Sequence, residues 1–211
     1  MRKCPAKNQF LFFDCCRNYL AQVNAGTERG VQIFDNLLDV ADDRNYVAMY
    51  STLEGSSAFG QPNEPSYFMK ALLDALTGFG SERRSGGWQV TNRMINKALH
   101  DIMRFDIKGT ANLQLVTGES PGDAVLHVLQ KAPRVKTRVQ CEPVADMSNV
   151  SFSLKRDLDH FVHAGAQGPF RQDIAPGEWE MRVTRNGSQT HDQEDRPVIT
   201  PPAFDKIFQL A

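Results

Sequence analysis

The feature that most constrains this chain is a change of hydrophobic period near residue 121. Before it, apolar residues recur at helical spacing. In "SYFMKALLDAL" (66–76), Phe68, Leu72, Ala75 and Leu76 share one face, and over 89–104 Val90, Met94, Ile95, Leu99, Ile102 and Met103 do the same. After it, only short β-type runs remain: "AVLHVLQ", "TRVQCEPV", "VSFSLKR", "HFVHA", "EWEMRVTR" and "DKIFQLA". Pro-Gly (121–122, 176–177) and Asn-Gly (186–187) punctuate them, as turns between strands require. The sequence therefore predicts an α/β unit over 1–120 and a small all-β, sandwich-like unit over 121–211.

Within the first unit, "FLFF" (10–13) reads as a strand buried on both faces, and "YVAMYST" (46–52) as a second. Turn-forming residues predict loops at "EGSSAFGQPNEP" (54–65) and "GSERRSGG" (80–87). Pro65 precedes the first helix and Gly78 stops it, while "ANLQLVTG" (111–118) supplies a third strand. The order strand, strand, helix, helix, strand places helices on the faces of a sheet.

Composition excludes several partners. With 24 basic and 25 acidic side chains, the net charge of −1 gives no reason to expect nucleic acid or an anionic membrane. No apolar run reaches the roughly 18 residues a membrane helix needs, and "MRKCPAKNQF" is a poor signal peptide. Cysteines at 4, 15, 16 and 141 are too sparse for a stapled secreted scaffold, so a reduced, cytoplasmic protein is expected. No Cys-x-x-Cys or His-x-His spacing occurs, so neither a metal nor another cofactor is expected.

The chemistry concentrates where the first strand ends, in "LFFDCCRN" (11–18). Residues two apart on a strand point the same way. Asp14 and Cys16 would then open together into the cleft that lies beyond the carboxyl ends of the strands, with Cys15 turned into the packing. Two ordinary buried cysteines are the simpler alternative.

The second strand discriminates. "FFDCCRN", followed by "AMYSTLEGSSAF" and "SYFMKALLDAL", resembles the caspase-like clan of cysteine peptidases, caspases and bacterial-type metacaspases together. Caspases carry Gln-Ala-Cys-Arg-Gly at their nucleophile, and metacaspases Asp-x-Cys. Asp14, Cys15, Cys16, Arg17 and Asn18 stand there in this chain, and Tyr50, Ser51 and Thr52 match the caspase Tyr-Ser-Thr. The resemblance covers about residues 8–120 and implies a C-terminal portion of a caspase fold acting on protein or peptide substrates. It makes Cys16 the nucleophile, with its backbone N–H in the oxyanion hole. It places Ser51, Ser57, Ala58 and Phe59 along the substrate groove.

Two departures shape the expectation. In caspases the catalytic histidine lies roughly 50 residues before the cysteine, whereas His100, His127, His160, His163 and His191 all follow Cys16. The histidine is therefore expected from an N-terminal half or another chain, and this chain alone should be inactive. Where caspases hold an acidic P1 side chain with arginine, the ungapped match puts Gly60; the cleft offers Asp14 instead. As in metacaspases, that acid implies cleavage after Arg or Lys, although Asp14 could equally buttress the loop. Arg29, Arg44, Arg83 and Arg84 are then candidate self-cleavage sites. The competing reading is a non-catalytic caspase-like scaffold whose β unit recruits a protein partner.

Overall fold

The structure, a computed structural model, describes residues 6–15, 45–53, 58–106, 117–119, 123–188 and 192–210. β1 (Asn8–Phe13) lies parallel to β2 (Asn45–Tyr50), pairing Phe10 with Val47 and Phe13 with Tyr50. Parallel neighbours need a long connection between them, and residues 14–44 supply it. Both strands thus end on the same edge, where Asp14 and Ser51 begin. β5 (Thr117–Glu119) closes the other side of β2 in antiparallel sense.

The first helix, α1 (Tyr67–Asp74), starts where the sequence places it. The Ser66 side chain caps it by accepting a 2.9 Å hydrogen bond from the Met69 N–H. Phe68, Ala71 and Leu72 are its buried stripe, and the chain leaves through a wider turn in which Gly78 takes φ 141°, a conformation open to glycine. α2 (Asn92–Asp106) presents Ile95, Ala98, Leu99, Ile102 and Met103 to the same core. Val47 and Met49 of β2 belong to that core as well.

The expected loop at 80–87 is instead a β-hairpin, with β3 (Ser81–Arg84) and β4 (Gly87–Thr91) joined by Ser85 and Gly86. Charge obscured it. Glu82 sits between Arg84 and Arg93, at 2.6 Å from the Arg93 guanidinium, and accepts from the Thr91 hydroxyl at 3.2 Å. The second helix consequently begins at Asn92 rather than 89, with the Thr91 hydroxyl accepting from the Met94 N–H at 3.3 Å. Val90, expected on the helix, is buried on β4. β6 (Val125–Val128) completes this second sheet by pairing with β4.

From Val135 onward, among the described residues, every regular element except two single 3₁₀ segments is a strand. β7 (Val135–Glu142) is followed by β8 (Val150–Arg156), β9 (Asp159–Ala164) and β10 (Phe170–Ile174). β11 (Gly177–Glu178), β12 (Glu180–Arg185), β13 (Gln193–Asp195), β14 (Val198–Ile199) and β15 (Ala203–Gln209) complete the order. The strands form a β10-β7-β15 sheet and a β13-β12-β8-β9 sheet, with β11 and β14 as a separate pair. Between the two sheets lie Val139, Phe152, Leu154, Phe170, Ile174, Trp179 and Met181, all buried. Alternation along β7 and β8 is strict, one residue inward and the next outward, as expected for a sandwich. The Asn186-Gly187 turn lies between β12 and β13, with Gly187 at φ 85°.

Candidate active site

The carboxyl end of β1 is fastened at three successive residues. The Ser51 N–H donates to the Phe13 carbonyl at 2.9 Å, continuing the strand ladder one step past Tyr50. The Phe13 and Tyr50 rings stack with centroids 4.9 Å apart. The Ser66 hydroxyl donates to Asp14 Oδ2 at 2.6 Å. The Cys15 carbonyl accepts from the Ser51 hydroxyl at 3.0 Å and more weakly from the Thr52 hydroxyl at 3.4 Å.

Asp14 is therefore an exposed carboxylate tied to the amino end of α1, where the helix dipole favours negative charge. Ser66 serves both partners, accepting from the Met69 N–H while donating to Asp14. Phe59 and Gly60 run alongside: the Phe59 carbonyl accepts from the Tyr67 N–H at 3.2 Å, and Gly60 forms a bridge to Ser66. A Cβ on Gly60 would stand 3.1 Å from the Cα of Ser66, tighter than ordinary contact. Gly60 is thus a glycine pressed against the helix cap.

The expected site residues separate by depth. Phe59, at 38% exposure, faces solvent, and Ala58 is half-buried. Ser51 is completely buried. Cys16 and Ser57 lie outside the described residues, as do Arg29 and Arg44. Cys15 departs from expectation: it is exposed, not turned into the packing. The chain leaves the strand after Phe13, so the alternation that would bury Cys15 no longer applies. Buried Cys141 has its thiol pKa pushed up by burial and by the Asp146 charge, which keeps it protonated and unreactive.

The downstream histidines are engaged elsewhere. His127 Nε2 is 2.7 Å from the Leu76 carbonyl, His160 Nε2 3.0 Å from the Ser153 hydroxyl, and His163 Nε2 2.8 Å from the Gly168 carbonyl. His100 belongs to α2, and His191 lies outside the described residues. Arg84 pairs with Asp123 at 2.7 Å and with Glu82, and those hydrogen bonds raise its pKa further. Among the described residues no group of three or more His, Cys, Asp or Glu side chains could hold a metal ion, and no helix is long and apolar enough to cross a membrane.

The parallel pair of an α/β unit thus ends at Asp14 and Cys15, with Asp14 bonded to the cap of α1. The caspase-domain family model matches residues 1–158, and the chain belongs to that family. Its members are cysteine peptidases acting on protein substrates. Comparison with the curated proteins gives no match.

Proposed function

We propose that the protein is a metacaspase-like cysteine endopeptidase that cleaves after Arg or Lys, with Cys16 as nucleophile and Asp14 as the acid that receives the P1 side chain. The observation that carries this reading is Asp14 itself: an exposed carboxylate at the carboxyl edge of the parallel pair, two residues before Cys16. Ser66 orients one carboxylate oxygen, and a bidentate guanidinium pair needs a carboxylate held in a fixed plane. Gly60, where a cation would favour an acidic P1, supports the same specificity. On this reading Ala58 and Phe59, which neighbour Gly60 in the chain, face the substrate together with Ser57, which lies outside the described residues.

The general base is a histidine on another segment or chain. Two observations support this. His127 already bonds the Leu76 carbonyl after α1, and His160 and His163 bond within the sandwich. Phe10–Phe13 are only half-buried, and among the described residues β1 pairs with β2 alone, leaving an apolar edge for further strands. The β-sandwich is an accessory unit, which we delimit at the passage from β6 to β7, later than residue 121 because β6 pairs with β4.

Asp14→Asn tests the specificity cleanly, because its amide oxygen can still accept from Ser66 while the charge is gone. Assayed in the peptidase complete with its histidine-bearing segment, the variant should lose about 2–5 kcal/mol on Arg-P1 peptides, at least ~30-fold in kcat/KM. Unchanged Arg-P1 turnover would exclude Asp14 from the pocket. A preference for Asp-P1 peptides in the wild type would overturn the specificity altogether.

A further inference from the structure

We propose that β9 is a docking edge for a second copy of this chain, the two β9 strands running antiparallel about a two-fold axis at Val162 and joining two sandwiches through one continuous sheet. Among the described residues β9 pairs with β8 alone and forms the margin of its sheet. Edge strands are ordinarily blunted by charge or by shortness. The other margins of the two sheets follow that rule. β10 carries Arg171 and Asp173, β15 carries Asp205 and Lys206, and the three-residue β13 carries Glu194 and Asp195. β9 has an Asp at its first position and no Glu, Lys or Arg at all, reading His-Phe-Val-His-Ala from residue 160. Val162, in its middle, is 71% exposed.

The backbone of this edge is preformed. Asp157 and Leu158 make a two-residue turn between β8 and β9, so the flanking pair Arg156 and Asp159 exchanges ladder bonds and the pairs alternate from there. The N–H and C=O groups of His160, Val162 and Ala164 therefore face away from β8. The far side of β8 keeps the same parity. There the Asn186 N–H donates to the Asn149 carbonyl at 2.7 Å, in step with Ser151 and Ser153, which bond toward β12 rather than toward Ala164 and Val162. Inner-face side chains hold the strand: Phe161 stacks on Trp179, and His163 Nε2 lies 2.8 Å from the Gly168 carbonyl. A strand already held in place loses little freedom when another docks on it.

The register selects the occupant. About a two-fold axis at Val162, that residue meets Val162 of the copy and exchanges both backbone bonds with it. His160 then stands opposite Ala164 of the copy, Phe161 opposite His163, and Asp159 opposite Gly165. No acid faces an acid and no base a base, and the two exposed valines cover each other. Such an isologous contact closes at two copies, because each chain's β9 is then used.

Sedimentation of the full chain over about 10–500 µM suits a contact this small, with thiols kept reduced because Cys15 is exposed. Wild type should pass from monomer to dimer across that range. Val162→Lys and Val162→Glu should each weaken the dimer at least ~100-fold, because the axis sets the introduced charge against its like. An equimolar mixture of the two variants should dimerise again, since opposite charges then meet. Val198→Lys, on β14 at a site 66% exposed, should leave the dimer intact. A wild type that stays monomeric throughout overturns the self-pairing and leaves β9 to a different strand. A dimer that survives Val162→Lys lies on another surface and overturns it equally. Variants that remain monomeric when mixed refute the register at Val162, and assembly beyond two copies refutes its closure. None of these readouts depends on hydrolysis, so the peptidase reading is tested separately.

Discussion

The two halves of the molecule solve burial in opposite ways. In the sandwich, β8 and β12 pair along Val150–Arg156 and Glu180–Arg185, and their inward residues Phe152, Leu154, Met181 and Val183 are fully enclosed. Trp179 sits at the centre, stacked on Phe161 with centroids 5.8 Å apart, its indole N–H donating to the Ala175 carbonyl at 2.8 Å. In the α/β half, by contrast, the apolar strand β1 lies at the sheet margin among the described residues and is only half-buried.

The halves meet through charge laid over aromatic rings. Lys136 of β7 lies 3.0 Å from Asp74 at the end of α1, 3.4 Å from Asp106 at the end of α2, and 5.2 Å from the Phe79 ring centroid. Arg138 and Arg171 stand over the Phe105 ring at 5.1 and 5.6 Å. Burial pushes the Lys136 pKa down, but the hydrogen bond to Asp74 and the charges of Asp106, Asp74 and Asp173 outweigh it and leave it above lysine's ordinary value.

Trp179→Ala attacks the contrast most severely. Truncating a fully buried tryptophan typically costs about 3–5 kcal/mol. Hydrogen exchange should then show protection lost across β7–β15 while β2 and α2 stay protected. Equal loss in both halves would show instead that they unfold as one cooperative unit. Lys136→Ala should have a smaller effect, about 1–3 kcal/mol, between the values for exposed and buried ion pairs. Its pH dependence has a defined sign. Because the folded pKa is raised, the stabilisation is fully present below the unfolded lysine value of about 10.4 and is lost as pH climbs through the higher folded value. Melting curves of wild type and variant should therefore converge in strong alkali; a constant gap there would assign the effect to lost packing.

The sandwich was legible because alternation over β7, β8 and β12 is a period-two signal that burial enforces. The two helices were legible for the matching reason. The β3–β4 hairpin was not, since "SERR" has no apolar face and its strand is held by Glu82, Arg84 and Arg93 contacts that no local pattern announces. Val90 misled because it stands four residues before Met94, a helical interval that here spans the end of a strand and the start of a helix. At the site, Asp14 and Ser51 could be named from sequence, but not their partners. Ser66 reaches Asp14 across 52 residues and Ser51 reaches Cys15 across 36, separations that only the folded sheet brings within bonding distance. The exposure of Cys15 was missed because strand alternation was extended two residues too far.

The central claim is that the carboxyl end of β1 presents a nucleophilic Cys16 beside an acid that selects basic side chains. A peptide chloromethyl ketone with Arg at P1, reacted with the peptidase and its histidine-bearing segment, tests it directly by peptide mapping of the thioether formed. The account predicts alkylation at Cys16, absent in Asp14→Asn at the same probe concentration and absent with an Asp-P1 probe. Alkylation at the exposed Cys15, or equal labelling by both probes, would contradict it.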